Sequence, residues 1–336
     1  MMMDFVQNES RDPYQYIDYA DSMLRFTTLI DKEMSIDKEH LKLIGYLSKH
    51  VCDGVRLEES VILEGVIKLS SIDFDYIKAR ILELAGITSD ELAIKSAVHN
   101  LNLLFVTERS DNQNLRVSEV SGFEVLKYDV LKNQLSAGVT LAAHIEHAVT
   151  RKYLIDLANA STTRFLNDFK PAAYVSGFIR GAKYTRKDVF RVLQWDKRPN
   201  EQNVGGYIVS TDGSNCPVFV TYHKEENIAA TTKYEDRFVN PGHVIYMSKN
   251  RRNLASPDVR AMRNHEASGM RMPFFVKKND DEGLSFYYLG ELTAVKDKFV
   301  ETTISGDDRN EVSIVKMEFQ LDRDVDFRLY RYLTES

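Results

Sequence analysis

Cysteine, tryptophan and proline are scarce in this chain: two, one and seven among 336 residues. Cys52 and Cys216 stand far apart in the sequence and read as reduced thiols of a cytoplasmic protein. No apolar run approaches the roughly 18 residues needed to span a bilayer, so no membrane partner is expected. The first residues lack the basic-then-apolar order of a signal peptide. No cysteine–histidine set has zinc spacing. His144 and His147 are three apart on a helix-like stretch, but nothing near them in sequence completes a metal site. There is no GxxxxGKS or GxxxxGKT loop and no DEAD or DEAH box, so no motif cradles a nucleotide phosphate. No cofactor is expected, and repeats and low-complexity tracts are absent.

What remains is an ordinary globular composition, 43% hydrophobic and 28% charged, in a chain long enough for two or three domains. The overall balance is acidic, with 44 Lys and Arg against 50 Asp and Glu. Its distribution is uneven. Between Lys183 and Lys278 there are 17 basic and 10 acidic residues, a net of +7, which leaves −13 for the remainder. One part of the molecule is therefore suited to an anion and the other is not.

Helical periodicity dominates residues 12–182. "SIDKEHLKLIGYLSKHV" places Leu41, Ile44, Leu47 and Val51 on one face behind Asp37 as N-cap. Two further amphipathic stretches follow, the second ending at Gly86. Ser89 is the expected cap of a helix reaching about Asn100. A strand from Leu101 to Thr107, a turn, and a returning strand in "LRVSEV" would then make a hairpin. Three short helices and a hairpin form a winged-helix-like element. Its third helix carries Asp90, Glu91 and a single lysine, Lys95, which is too acidic for a groove-reading helix and points to a structural or protein-docking role. The expected division is 1–118, helical and winged-helix-like; 119–182, a helical connector; and 183–336, a β-domain.

From Tyr184 the pattern changes. A short helix, "TRKDVFRVLQW", can be capped by Thr185. Seven strand-like runs follow: "GGYIVST", "PVFVTYH", "HVIYMSK", "RMPFFVKK", "SFYYLGEL", "KFVETTI" and "EVSIVKMEFQL". Short strands between polar turns argue for a compact barrel or sandwich, so the fold class is α+β.

The blocks "YTRKDVFRVLQWDK", "QNVGGY", "CPVFVTYHK", "TKYEDRF", "MSKNRR", "FFVKKNDDEG" and "FYYLGEL" resemble, in order, a C-terminal domain of unknown function found in many bacterial helicase-containing proteins. The resemblance covers about residues 184–292. Some members of that family are type IV restriction enzymes, which cut DNA carrying modified cytosine. In these a superfamily-2 helicase core, and often a phospholipase-D-type nuclease, precedes the domain. The resemblance implies a target-recognition region with an SRA/PUA-like β-barrel. Its partners would be duplex DNA containing 5-methylcytosine or 5-hydroxymethylcytosine, and the helicase and nuclease domains of the same parent chain.

Two chemistries compete for the polar residues. Catalysis would draw on His223, Lys224, Glu235, Asp236 and the run Asp280–Asp281–Glu282, because a metal-dependent nuclease needs converging carboxylates and a lysine. His223 and Lys224 are adjacent, not spaced as a phospholipase-D-type nuclease requires, and Asp280–Glu282 reads as a charged hairpin turn; no catalytic residue is assigned. Binding a flipped base needs flat side chains, a group for the base edge and cations for the flanking phosphates. Tyr207 and Tyr222 are similar to the tyrosines that sandwich the base in SRA domains. Where those domains carry an accepting aspartate, this chain has Ser210, with Asp212 nearby; Asp236 is a rival acceptor, with Tyr234 and Tyr246 beside it. Lys249, Arg251 and Arg252, with the Ser248 hydroxyl, make a phosphate clamp; His223, Lys224, Arg186 and Lys187 extend it.

Overall fold

The computed structural model describes residues 38–106, 117–196, 199, 204–223, 236–305 and 311–335. The chain divides into one unit comprising residues 1–172 and 194–198, and another comprising 173–193 and 199–336.

The first unit opens with α1 (Lys38–His50) and α2 (Glu58–Leu69). Helix α2 buries Val61, Ile62, Leu63 and Val66, more than one face, as expected of a central helix. Strand β1 (Ser71–Asp73) leads into α3 (Phe74–Ala85), capped by Asp73 on the Tyr76 amide and ended by left-handed Gly86. Helix α4 (Glu91–Leu101) is capped by Asp90, not Ser89; the Ser89 hydroxyl instead donates to Glu58. A single turn, α5 (Val117–Val120), precedes β2 (Leu126–Asp129) and β3 (Gln134–Ala137); α6 (Val139–Glu146) and α7 (Ala148–Asp168) complete the unit. The three strands pair antiparallel in the order β1-β3-β2.

The hairpin therefore lies at 126–137, not at 101–120 as the sequence suggested. Residues 102–105 are turns off the end of α4, with Leu103 at φ 55° and Leu101, Leu103 and Phe105 buried. A short apolar run is ambiguous between strand and buried helix end, and here the core claimed it as the latter. The described end of "LRVSEV" is helical. Residues 119–172 also group with the helices before them: Thr162 on α7 donates to Ser60 on α2 at 2.9 Å. A buried bidentate pair, Arg56 with Glu59 at 2.7 and 3.1 Å, is completed by Asn100 of α4.

In the second unit a two-stranded ribbon, β4 (Tyr174–Val175) and β5 (Phe178–Ile179), precedes β6 (Lys183–Thr185) and α8 (Arg186–Val192). Thr185 caps α8 through a capping box with Asp188. Then come β7 (Val218–Thr221), β8 (Arg237–Asn240), β9 (His243–Met247), α9 (Pro257–Arg263), α10 (His265–Ser268), β10 (Pro273–Lys277), β11 (Ser285–Ala294), β12 (Val300–Ser305), β13 (Glu311–Leu321) and α11 (Phe327–Thr334). The sheet runs β7-β10-β11-β13-β9-β8, with β12 beside β13 and β6 beside β11. Strands β7 and β10 are parallel, pairing Val218 with Phe274; the other pairs are antiparallel. Among the described residues the sheet curls into half a barrel and does not close. Six of the seven sequence runs contain strands. "GGYIVST" contributes one isolated bridge, Tyr207 to Val218, and β8 is an additional strand.

Both faces are buried. Val218, Val220, Tyr246, Phe274, Leu289, Met317 and Phe319 belong to the inner core. Phe178, Tyr184, Phe275 and Tyr288 form an aromatic layer on the other face, with ring centroids 5.0–6.3 Å apart. Such pairs add about 0.5–1.5 kcal/mol each beyond the area they bury. The curl originates in β11. Its register with β10 shifts between Phe274 and Phe275, and Gly290 has φ +140°, a conformation essentially reserved for glycine. The Arg180–Asp322 ion pair lies against Gly290 where a side chain would project. Gly290→Ala is expected to cost about 1–3 kcal/mol of stability, read as a lower denaturation midpoint in urea; an unchanged midpoint would show that the kink is not glycine-dependent.

Candidate nucleic-acid interface

Three backbone devices bring the second unit's polar residues together. Phe219 N–H donates to Gly206 O, laying residues 206–207 along the open edge of β7. Gly206 then passes so close to the Tyr246 hydroxyl that a β-carbon there would lie 1.8 Å from it. After β9 the chain turns through Arg251 at φ 58° and returns as α9, whose first turn carries Asp258.

The result is a recess of about 410 Å³ lined by Tyr207, Ile208, Val209, Lys249, Arg252, Ser256, Pro257 and Asp258, within the usual range for ligand sites. One carboxylate oxygen organises it. Asp258 Oδ2 accepts from the Tyr207 hydroxyl at 2.8 Å and from Arg252 Nε at 2.8 Å. Burial works to raise the Asp258 pKa, but hydrogen bonds from Arg252 and Tyr207 outweigh it and hold the carboxyl below its ordinary value. The same contact raises the Arg252 pKa, while burial, helped by Asp258, raises that of Tyr207. Lys249 is half-buried. Its ammonium lies 4.8 Å from the Tyr207 ring centroid, and desolvation lowers its pKa against the pull of Asp258. Behind the recess, burial pushes the Cys216 thiol up to about 12, so it is no nucleophile near neutral pH.

The expected base-pocket residues distribute unevenly. Tyr207 lines the recess but is 1% exposed, in a T-shaped contact with Tyr246 at 6.0 Å. Tyr222 follows β7 and packs on Phe238 and His223. Tyr207 pairs with Val218, four residues before Tyr222, a separation of roughly 13 Å along a strand. Tyr222 is not among the residues that line the recess. Ser210 and Asp212 are engaged in their own turn: Asp212 accepts from Ser210 Oγ and from the Ser214 amide and hydroxyl, which lower its pKa. Asp236 accepts from the Met247 amide at 2.9 Å. Tyr234, Lys224 and Glu235 lie outside the described residues.

Of the phosphate-binding set, Lys249 and Arg252 line the recess and Arg251 is exposed beside them. Ser248 does not join them. Its hydroxyl is fully buried, accepting from the Val315 amide and donating to Lys249 O, so none of it is left for a phosphate. Arg186 stacks its guanidinium over Phe219 and Phe286 at 5.1 and 5.0 Å. Because Phe219 alternates with the inward Val218 and Val220, Arg186 belongs to the sheet's other face, away from the recess, and Lys187 follows it at the start of α8. His223 sits half-buried against Tyr222, its amide bonded to Lys278 O. The carboxylates at 280–282 serve the hairpin: Lys277 pairs with Asp280, while Glu282 accepts from Lys183, Tyr332 and the Lys278 amide. Among the described residues no three His, Cys, Asp or Glu side chains form a group that could hold a metal ion. Asp258, the central acceptor, was not singled out by sequence; "RRNLASPD", a carboxylate at the start of a helix six residues after an arginine, was its only trace.

Residues 178–333 match the family model of a domain of unknown function (DUF3427), and residues 1–164 match that of another (DUF8090). Among solved structures the chain is similar to the DNA modification-dependent restriction endonuclease AspBHI: 12% identity, 43% of this chain and 71% of that one, TM-score 0.29. It is also similar to the sulfur-binding and SRA domains of ScoMcrA complexed with phosphorothioated DNA, with 12% identity, 82% and 88% coverage and TM-score 0.31. The type IV phosphorothioation-dependent restriction endonuclease ScoMcrA gives 11% identity, 83% of this chain and 63% of that one, TM-score 0.30. No curated protein matches the chain in sequence.

Asp258→Asn should lower stability at neutral pH by about 1.5–3 kcal/mol, the value of hydrogen bonds to a charged group. A carboxylate with a depressed folded pKa stabilises above its unfolded value of about 3.9, and that contribution is lost as pH falls through the folded value. Urea melts of the two proteins should therefore converge in acid; a gap independent of pH would assign the loss to packing.

Proposed function

We propose that this chain is the DNA-binding target-recognition region of a modification-dependent, type IV restriction enzyme, and that its second unit reads 5-methylcytosine or 5-hydroxymethylcytosine in duplex DNA. The observation that carries this reading is the recess, where an aromatic ring, a half-buried ammonium and a guanidinium meet in one concavity. A flat group beside two cations suits a nucleotide: phosphate on Lys249, Arg251 and Arg252, base against Tyr207. The base must leave the stack to reach it, at a cost of about a few kcal/mol. Support comes also from the excess of +7 between Lys183 and Lys278 and from the ordered motif blocks, which resemble a domain found in some type IV restriction enzymes. The helicase and nuclease of the same parent chain would supply translocation and cleavage.

For the first unit the reading is a winged helix that docks protein. The order helix, strand, helix, helix and, after the single turn α5, a hairpin, with sheet order β1-β3-β2, supports that reading. The exposed part of α4 presents Glu91, Leu92 and Lys95, and the hairpin tip presents Leu131 at 98% exposure. These groups favour a protein surface over a phosphate backbone.

The test is binding of the whole chain to duplexes identical except for one cytosine, 5-methylcytosine or 5-hydroxymethylcytosine, with a phosphorothioate-linked duplex alongside. Tighter binding of a modified-cytosine duplex is expected. Equal affinity for all three bases sinks the base reading, and preference for the phosphorothioate duplex alone transfers recognition to the backbone. Arg251→Ala should flatten log affinity against log salt by about 0.9 on every duplex, the slope of one lost phosphate contact; an unchanged slope removes Arg251 from the interface.

A further inference from the structure

The second unit's partly buried cations mostly have carboxylate partners. Lys183 pairs with Glu282, Lys277 with Asp280, Arg180 with Asp322, Arg271 with Glu291 and Arg252 with Asp258. Lys249 is half-buried and makes no ion pair with any described residue. A charge withdrawn from water normally needs a partner. Its substitute here is an aromatic face: Nζ lies 4.8 Å from the Tyr207 centroid, within cation–π range. Both ends of the residue engage that tyrosine, since the Lys249 amide faces the Tyr207 hydroxyl at 3.4 Å. The side chain also runs past the backbone of Gly205, so it lies along the wall of the recess. Tyr246 packs against the same ring in a T-shaped arrangement at 6.0 Å, and Asp258 binds the hydroxyl. Tyr207 is buried although it borders the recess, and Lys249, which lines the same recess, holds its ammonium over the ring.

We infer that Lys249 is a stand-in for the base: in the free protein its ammonium covers the face of Tyr207 on which a flat ring would stack, and a phosphate of the bound nucleotide draws it away. The inference rests on the reading of the recess as a base pocket and adds an order of events. Phosphate engagement comes first and uncovers the ring. A base presented without a phosphate must displace the ammonium into solvent and forfeit its contact with the ring. The ligand class that fits is a planar heterocycle carrying a phosphate on its sugar, and Lys249 contributes to both halves of its recognition.

The two halves predict opposite signs for one substitution. Lys249→Met keeps the methylenes and removes the charge; Lys249→Arg keeps the charge and can still stack. Binding of 5-methyl-2′-deoxycytidine and of its 5′-monophosphate to the whole chain can be followed by ligand-observed NMR. Lys249→Met should bind the nucleoside more tightly than the parent, by about 2- to 30-fold, the range spanned by a cation–π contact. The monophosphate's advantage over the nucleoside should shrink in the same variant, and Lys249→Arg should behave as the parent. An unchanged or weaker nucleoside affinity in Lys249→Met, with an intact thermal melt, overturns the inference. So does an absence of nucleoside binding to either protein while modified duplex is still preferred, because the base is then read elsewhere. Loss of that duplex preference in the parent is a different result, and sinks the base-pocket reading itself.

Discussion

The second unit depends on one strand changing partners halfway along its length. The first half of β11 pairs with β6 and β10, and its last three residues pair with β13. A flat strand of ten residues could not serve both sets, because the two halves of the sheet face in different directions. The bulge opposite Phe274–Phe275 and the left-handed backbone at Gly290 supply the bend. Alternation of burial breaks there, with Tyr288, Leu289 and Gly290 all inside. Leu289 enters the inner core and Tyr288 enters the aromatic layer, so the same irregularity that bends the sheet also feeds both of its faces.

The recess inherits that geometry. Only in a curled sheet do an edge beside β7 and the turn after β9 come within reach of each other. Tyr207 arrives from the first, Lys249 and Arg252 from the second, and Asp258 from the helix that follows. No single element contains the site. Its coherence comes from one oxygen shared by a phenol and a guanidinium, groups that are costly to bury without an acceptor.

Much of this architecture was legible in the sequence, and the part that was not has definite physical causes. Strand-forming runs, the Thr185 cap and the Gly86 stop are local signals, carried by residues adjacent to the structure they specify. The cluster Lys249, Arg251 and Arg252 is local as well. Asp258 escaped because its meaning lies in Tyr207, far away in the chain; read locally, "SPD" is only the start of a helix. The fate of Ser248 was equally non-local, since the amide that claims its hydroxyl belongs to Val315. In the first unit the apolar run at Leu101–Phe105 satisfied two patterns, and tertiary burial chose between them. Nothing in the run Val218–Phe219–Val220 signals that Arg186 stacks on its middle residue.

The parallel pairing of β7 with β10 has a consequence for how the molecule is made. Hairpins such as β10–β11 and β12–β13 close short loops at small entropic cost. Strand β7 must wait for a partner far downstream, with β8, β9, α9 and α10 lying between. Contacts of such long range are gained late in folding. Residues 206–207 rest on β7 and follow it in turn. A nascent chain would therefore hold the β8–β9 hairpin, with Lys249, Arg251 and Arg252 following it, before Tyr207 settled beside them.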